Sequence, residues 1–159
     1  MKILVLSDSH RTLIHMRAAV QREQPDQVLH LGDHEPDAAR LQADFPQIPV
    51  YSVAGNCDLS ALNQNPVSIR EFAGVRVFMT HGHCHGVKQG LLRLELAARE
   101  AEAQIVVFGH THHALCQKKD GLWLLNPGSC SAGPSPSYGV VLVENGEIAC
   151  YTVTDMYAV

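Results

Sequence analysis

Five short segments of the sequence carry the residue types that bind metal ions in proteins. Each combines histidine, aspartate or asparagine, in four cases with glycine, and each directly follows an apolar stretch. The five segments are Asp8-Ser9-His10, Gly32-Asp33, Gly55-Asn56-Cys57-Asp58, His81-Gly82-His83 and Gly109-His110-Thr111-His112. The chain has ten histidines against twelve lysines and arginines, and imidazole is the commonest metal ligand among side chains. These segments therefore predict metal-dependent chemistry.

The ligand types indicate the number and kind of the metal ions. Two divalent cations about 3.5–4 Å apart repel each other and need a bridging anion, for which Asp33 is the natural candidate. Imidazole, amide and carboxylate together favour manganese, nickel, iron or zinc over calcium and magnesium, which prefer shells made only of oxygen. His110 and His112 would lie on one side of an extended segment. We expect two divalent transition-metal ions, with manganese as the first choice.

The segments also have simpler interpretations. Asp8 or Ser9 could cap the helix that follows, Asp33 could cap the next helix, and Gly55-Asn56 could form a turn. A histidine on its own is more often a surface residue than a ligand. The metal centre is favoured because all of these simpler interpretations would have to hold at once.

The apolar patterns between these segments predict the elements that position them. Strands are predicted over residues 2–7, 28–31, 49–53, 67–72, 75–80, 105–108, 114–117, 122–125, 138–143 and 148–153. Helices are predicted around residues 13–20, 35–45 and 91–101. The chain thus begins βαβαβ and continues with mostly antiparallel strands, which predicts an α/β fold of two sheets packed face to face with helices outside. Ligands bind at the carboxyl edge of such sheets, so one shared site is expected.

The composition excludes several classes of protein. The chain has 159 residues, 46% of them apolar and 18% charged, as in an ordinary globular protein. We therefore expect one domain over residues 1–159. The net charge of −4 argues against a partner such as long nucleic acid, which needs a basic surface.

The cysteines and the first residues indicate the compartment. The five cysteines are odd in number and never spaced Cys-x-x-Cys, which argues against a disulfide framework and a structural zinc site. We expect them to be reduced, with Cys84, Cys116, Cys130 and Cys150 buried or half-buried. The apolar stretch at residues 3–6 is too short for a signal-peptide core or a membrane span. A cytoplasmic protein without a membrane partner is expected.

The five segments, in this order and spacing, resemble the calcineurin-like metallophosphoesterase family from residue 8 to residue 112. Val87-Lys88 and Asn126-Pro127-Gly128-Ser129 are similar to the small single-domain phosphodiesterase branch of bacteria and archaea, which extends the resemblance over nearly the whole chain. The resemblance implies a four-layer αββα sandwich, in which two mixed β-sheets are flanked by helices.

The resemblance also implies how the ligands divide between two ions. The residues that would hold one ion are Asp8, His10 and His112. Those that would hold the other are Asn56, His81 and His110. Asp33 would bridge both ions, which agrees with the role that charge alone suggests for it.

Cys57 departs from the family pattern, in which Gly-Asn-His-Asp or Gly-Asn-His-Glu has histidine at this position. The resemblance gives that histidine the role of donating a proton to the leaving oxygen or of stabilising the phosphoryl charge, oriented by the acidic residue that follows, here Asp58. A thiol is a weak donor and is uncharged at neutral pH. We therefore expect substrates whose leaving groups need little protonation, unless another residue serves as the acid.

His83 is the first candidate for that acid, because it lies two residues from the ligand His81. His85 and His34 are the alternatives, and simple exposure beside a metal loop is the other interpretation of all three. Pro134-Ser135 also departs from the branch, in which arginine often follows the proline, so one phosphate contact is in question. The expected catalytic residues are His83, Asp58 and Asn56.

Together these features predict a dinuclear metal-dependent phosphoesterase. A hydroxide made by the metal pair would attack phosphorus in line, and a small phosphodiester is favoured over a monoester as the substrate. The alternative is a catalytically weak metal-binding scaffold that acts through protein contacts, as a eukaryotic trafficking-coat subunit similar to this branch does. The complete set of ligand side chains favours the enzyme. Whether the chain forms a homo-oligomer is left open by the sequence.

Overall fold

The computed structural model describes residues 1–59, 66–131 and 133–154, and each predicted strand and helix is present there, with ends shifted by no more than three residues. The strands are β1 (Lys2–Leu6), β2 (Gln27–His30), β3 (Val50–Ser52), β4 (Val67–Phe72), β5 (Val75–Thr80), β6 (Ile105–Val107), β7 (Ala114–Lys119), β8 (Leu122–Pro127), β9 (Tyr138–Glu144) and β10 (Glu147–Val153). The helices are α1 (Ile14–Glu23), α2 (Glu35–Asp44) and α3 (Leu92–Glu100). In the part of the chain described, no helix is long and apolar enough to cross a bilayer.

The strands form two mixed sheets of five strands each. The first sheet has the order β10-β9-β1-β2-β3 and the second the order β4-β5-β6-β8-β7. Three neighbouring strands are parallel in each sheet, namely β1, β2 and β3 in the first and β5, β6 and β8 in the second. The expectation of a mostly antiparallel second half is therefore wrong for the centre of the second sheet. Strand β7 lies at the edge of the second sheet and is antiparallel to β8, so β8 runs beside β6 in the same direction as β6.

The apolar residues divide into three cores that separate four layers. Alternate residues of β1 serve different cores, with Ile3 and Val5 between the two sheets and Leu4 and Leu6 against α1 and α2. A third core packs α3 against the outer face of the second sheet. Each fully buried aliphatic side chain contributes about 1.5–3 kcal/mol relative to exposure. The chain therefore forms the expected αββα sandwich, and its first strand is buried on both faces as its continuous apolar run predicts.

The parallel strands bring the five polar segments to one edge. Backbone bonds tie the segments together where the strands end, since Asp8 N–H donates to Gly32 O at 3.0 Å and Gly109 N–H donates to His81 O at 3.0 Å. The first bond joins neighbouring strands of one sheet, and the second does the same in the other sheet. The carboxyl ends of parallel strands meet at one edge, which places the segments together.

The last residue of β2, His30, is a fully buried histidine that makes stability depend on pH. Burial lowers its pKa from 6.5 to about 4, so the folded chain keeps it neutral while the unfolded chain takes up a proton. The native state then binds fewer protons than the unfolded state between these pH values, and stability falls as the pH decreases through this window. The contribution of His30 to that fall is about 3 kcal/mol.

We therefore expect the His30→Gln variant to be less stable at neutral pH but to lose much less stability on acidification than the wild type. Urea unfolding at pH 7 and at about pH 4.5 measures the difference for both proteins. The exposed His113 offers a control, because His113→Gln should keep the wild-type pH dependence. Identical pH dependence in wild type and His30→Gln would show that His30 does not titrate as argued.

Candidate metal centre

Most of the predicted ligands adopt a backbone conformation that non-glycine residues rarely take. The residues concerned, with φ between 45° and 67°, are Asp8, His10, Asp33, His110 and His112. Each left-handed non-glycine residue costs about 1–2 kcal/mol, and such strain concentrates at functional sites. Because both His110 and His112 turn in this way, they do not lie on one side of an extended segment. The two imidazoles join different groups of ligands instead.

The structure brings the predicted ligands into two groups that share one carboxylate. The ligand atoms within each group all lie within 4.8 Å of one another. The first group consists of Asp8, His10, Asp33 and His112. The second consists of Asp33, His81 and His110, and Asn56 Oδ1 lies 3.1 Å from His81 Nε2. All seven predicted ligands are therefore neighbours, in the same two sets that the resemblance implies.

The first group surrounds a buried carboxylate oxygen that lacks a hydrogen-bond donor. Asp8 Oδ2 accepts bonds from Ser7 Oγ at 2.6 Å and from His110 N–H at 3.1 Å. Asp8 Oδ1 is buried, has no hydrogen bond within the described chain and lies 3.0 Å from His112 Nε2. The Nε2 atoms of His10 and His112 are 3.5 Å apart. A buried carboxylate oxygen beside one imidazole nitrogen, with a second imidazole next to the first, is an arrangement that a cation completes.

The second group has a fixed imidazole orientation. His81 is fully buried, and its Nδ1 lies 2.6 Å from the carbonyl oxygen of Leu31. When Nδ1–H donates to that carbonyl, the lone pair of Nε2 points at Asn56 Oδ1 and at His110 Nδ1, 3.2 Å away. A backbone carbonyl that holds the second ring nitrogen is typical of metal-binding histidines. The residues of both groups therefore fit divalent cations.

Burial and neighbouring groups shift the pKa values of several residues of the centre. Burial alone would raise the pKa of Asp8, but the nearby His112 and His81 imidazoles and the Ser7 hydroxyl outweigh burial and lower it. The neighbouring Asp8 carboxylate in turn raises the pKa of His112. Burial and the neighbouring His81 lower the pKa of His110. Asp8 is thus ionised at neutral pH, and His110 remains a neutral imidazole, the form that binds metals.

Two glycines allow the close packing of the ligand loops. A Cβ atom on Gly55 would overlap Asp33 Oδ1, and one on Gly109 would overlap Ser7 Oγ. Any side chain at either position would displace a carboxylate or its hydrogen-bond donor. Glycine is therefore required at Gly55 and Gly109, because there is no room for a side chain at either position.

The helix-capping interpretation of the aspartates is wrong. Helix α1 begins after Leu13 and α2 begins after His34, and neither position makes a side-chain capping bond. Asp8, Ser9 and Asp33 all lie before these helix starts and are directed elsewhere. Asp8, Ser9 and Asp33 are therefore not present for helix capping.

Asp58 anchors the loops beside the centre. Its Oδ1 accepts bonds from His34 N–H at 2.9 Å and Glu35 N–H at 2.7 Å, and its Oδ2 accepts one from Gly55 N–H at 2.8 Å. Burial would raise its pKa, but these backbone donors outweigh burial and lower it. The carboxylate thus caps α2 from a distant loop and holds the turn that carries Asn56.

Cys57 lies directly against the shared carboxylate. Its backbone N–H donates to Asp33 Oδ1 at 3.0 Å, and its Sγ is 3.4 Å from Asn56 Nδ2. Burial and the negative charge of Asp33 raise the pKa of the thiol, so it is neutral at physiological pH. The side chain is exposed and could contact a substrate, but it supplies no positive charge.

Among the candidate acids, His83 lies beside two ligands of the second group. It lies in a short 3-10 turn (His83–His85), with its ring centroid 5.4 Å from that of His81 and 6.1 Å from that of His110. Burial lowers its pKa. His85 packs edge-on against Phe78 at 5.8 Å. Geometry therefore favours His83 over His85.

His34, the other alternative acid, faces a carboxylate, because its Nδ1 lies 3.0 Å from Asp37 Oδ1.

The four cysteines expected to be buried or half-buried differ in their exposure. Cys84 is exposed, which contradicts its expected burial, because the 3-10 turn directs it outward. Cys130 is buried and Cys116 and Cys150 are half-buried, as expected.

Sequence reasoning missed the residues that hold the ligand loops. The side-chain amide of Asn126 donates to Gly109 O and to Thr111 Oγ1, each at 3.0 Å, and so fixes the loop of His110 and His112. Ser129 Oγ donates to Asp8 O at 2.9 Å. Both belong to the Asn126-Pro127-Gly128-Ser129 segment, whose resemblance to the phosphodiesterase branch was the only available signal.

Comparison with known proteins identifies relatives along most of the chain. The family described as calcineurin-like phosphoesterase superfamily domain matches residues 1–146. The probable metallophosphoesterase YsnB of Bacillus subtilis is 33% identical over 152 residues, which cover 91% of this chain and 86% of YsnB. A phosphodiesterase of Methanocaldococcus jannaschii is 27% identical in an alignment of 166 positions, and this alignment covers 92% of this chain and 96% of the relative.

Solved structures share the fold. The crystal structure of a predicted phosphoesterase from Streptococcus pneumoniae superposes with a TM-score of 0.79 and 27% identity, over 96% of this chain and 88% of that chain. Vps29 of Entamoeba histolytica in complex with Zn²⁺ superposes with a TM-score of 0.73 and 20% identity, over 97% of this chain and 99% of that chain. At that identity Vps29 shows a common fold and no more. The family match, the relative in Bacillus and the shared fold together show that this chain belongs to the calcineurin-like phosphoesterase superfamily.

Proposed function

We propose that the chain is a single-domain, dinuclear metal-dependent phosphodiesterase that hydrolyses small phosphodiesters. The observation that carries this proposal is the pair of ligand groups joined by Asp33, one with Asp8, His10 and His112, the other with Asn56, His81 and His110. One carboxylate facing two sets of neutral and anionic donors is the arrangement that two divalent cations need. Manganese is the first choice of ion, and nickel, iron or zinc suits the same donors.

Each residue of the centre has a distinct task in this proposal. Two bound cations would lower the pKa of water and polarise the phosphoryl group. Asp33 holds the two ligand groups together, and the Leu31 carbonyl keeps His81 in the orientation that binds. His83 lies beside the second group and is the proposed acid for the leaving oxygen, while Asp58 keeps the Asn56 loop in place.

Three features support a small phosphodiester over other substrates. A relative that covers most of this chain is named a phosphodiesterase. The neutral Cys57 adds no positive charge to the centre, which favours a diester with one phosphoryl charge over a monoester with two. The net charge of −4 disfavours long nucleic acid.

Five free cysteines support a reducing compartment, so we also propose a cytoplasmic location.

A metal-binding scaffold is the second candidate, because Vps29 proteins share the fold over nearly their whole length. The complete and closely packed ligand set supports the enzyme over the scaffold. A hydrolysis assay separates the two. The protein is stripped of metal with a chelator, and Mn, Ni, Fe or Zn is added back before bis(p-nitrophenyl) phosphate and p-nitrophenyl phosphate are supplied.

We expect no hydrolysis without metal and faster hydrolysis of the diester than of the monoester with at least one of the metals. Metal binding without hydrolysis of either ester would favour the scaffold. Faster hydrolysis of the monoester would overturn the substrate preference but not the metal-dependent activity.

Cys57→Ala tests whether the thiol takes part in the reaction. We expect turnover of an activated aryl diester within about threefold of wild type, a change below about 1 kcal/mol in barrier, because a good leaving group needs no acid. Cys57→His, in contrast, should raise activity on unactivated monoesters relative to the diester, because an imidazole beside Asp58 can donate a proton. The two substrates are compared as a ratio within each variant. Loss of diester hydrolysis in Cys57→Ala with both metals bound would make the thiol catalytic and exclude His83 as the acid.

A further inference from the structure

A buried carboxylate outside the ligand set lies directly behind the centre. Asp37, in the first turn of α2, is fully buried. Its Oδ2 accepts bonds from Ser9 Oγ at 2.8 Å and from Arg11 N–H at 2.9 Å, and its Oδ1 lies 3.0 Å from His34 Nδ1 and 3.8 Å from the Arg40 guanidinium. Oδ2 thus has two donors, whereas Oδ1 makes no hydrogen bond among the described residues and faces only His34 and Arg40. A buried carboxylate is costly unless donors and cations surround it, so the position of Asp37 depends on these neighbours.

Asp37 is also the last acceptor in a series of hydrogen bonds that all point the same way, from the Gly32 N–H through His30 and Ser9 to the carboxylate. Gly32 N–H lies 3.4 Å from His30 Nδ1 and donates to it. A neutral imidazole has one N–H, so His30 must carry it on Nε2, which lies 3.1 Å from Ser9 Oγ. The Ser9 hydroxyl therefore accepts from His30 and donates to Asp37. This series of hydrogen bonds joins Gly32, the residue before Asp33, to Ser9, which lies between Asp8 and His10.

We propose that Asp37 is a positioning residue that holds the two ligand loops of the first metal site in register. This inference rests on the proposed function. Ser9 stands between two ligands, Arg11 follows His10, and His34 follows Asp33, so one carboxylate fixes both loops. The loops contain left-handed residues that would relax toward ordinary torsions without such a restraint.

The effect of Asp37 should be larger at one ion than at the other. Asp37 contacts the neighbours of Asp8 and His10, which belong only to the first group, and of Asp33, which both groups share. The second group is oriented by other contacts, namely the Leu31 carbonyl on His81 and the Asp58 carboxylate on the Asn56 loop. Loss of Asp37 should therefore weaken the ion of the first group more than the ion of the second.

Asp37→Asn tests the proposal, because asparagine keeps the shape but removes the charge and one acceptor. Manganese binding to the metal-stripped protein is measured by isothermal titration calorimetry and by metal content after dialysis. We expect affinity for one ion to fall by about 10–100-fold, as for other residues that hold metal ligands in place, and affinity for the other ion to change little. Asp44→Asn is the matched control, since Asp44 lies on the same helix and pairs with Arg17 at the surface. It should leave both affinities unchanged.

Combining Asp37→Asn with a second substitution in the ligand set shows which of the two ions is weakened. In a His112→Ala background, where the first ion is already lost, Asp37→Asn should not affect the remaining ion. In a His110→Ala background it should weaken the remaining ion as strongly as in the wild type. The opposite pattern, or equal weakening of both ions in the otherwise wild-type protein, would overturn the proposal.

Ser9→Ala provides a second test if Asp37→Asn does not fold. It cuts this series of hydrogen bonds without changing charge, so we expect a smaller loss that is again larger at the same ion. Unchanged affinity for both ions in a folded Asp37→Asn would overturn the proposal, and so would unchanged affinity in Ser9→Ala if Asp37→Asn does not fold. Metal affinity is measured without substrate, so a wild type that binds two ions but hydrolyses no ester refutes only the proposed function. A wild type that binds fewer than two ions refutes both.

Discussion

Asp33→Asn is expected to lower diester hydrolysis by about 1000-fold and to leave at most one metal ion bound, because a neutral amide cannot screen two cations from each other. The two oxygens of Asp33 face different groups, Oδ1 lying 3.5 Å from His81 Nε2 and Oδ2 4.0 Å from His10 Nε2. Turnover and metal content are measured on the same protein sample, so that loss of activity can be compared with loss of metal.

The exposed turn residue Asp120 offers a control for this substitution. It also adopts a left-handed backbone, which asparagine tolerates, so Asp120→Asn should retain full turnover and both ions. Asp33→Asn with two ions still bound and wild-type turnover would show that Asp33 does not bridge.

His81→Ala and His110→Ala are each expected to lose one ion selectively and to reduce turnover by about 100-fold or more, because both side chains belong to the second group and the proposed reaction uses both ions. The His81 change should also lower stability, since it empties a fully buried site and leaves the Leu31 carbonyl without its donor. Metal titration of the folded variants gives the two affinities.

His112→Ala is the matched comparison, because His112 lies two residues from His110 but faces Asp8 in the first group. It should weaken the other ion. If all three variants lost both ions to the same extent, the division of the ligands into two sets would be wrong.

The strands, the helices and the shared edge could be predicted because their signals are local. Val75, Val77 and Met79 alternate along β5 and all reach the core between the sheets, as period-two burial requires. Leu94 and Ala98 recur at helical spacing and pack α3 onto the second sheet. The clustering of the predicted ligands could be anticipated for a related reason, since polar residues directly after buried strands lie at the carboxyl edge.

The tertiary structure decided how those residues are used. It separated His110 from His112 through left-handed torsions, made Asp58 the anchor of a helix 23 residues away, and placed the buried Asp37 behind two ligand loops. It also set β6 and β8 parallel. Side-chain direction depends on backbone torsions, and these torsions are held by contacts between residues far apart in the chain. The sequence by itself therefore determined which residues meet at the sheet edge and, through the family resemblance, how they divide into two groups, and long-range contacts decided the backbone torsions that bring each group together.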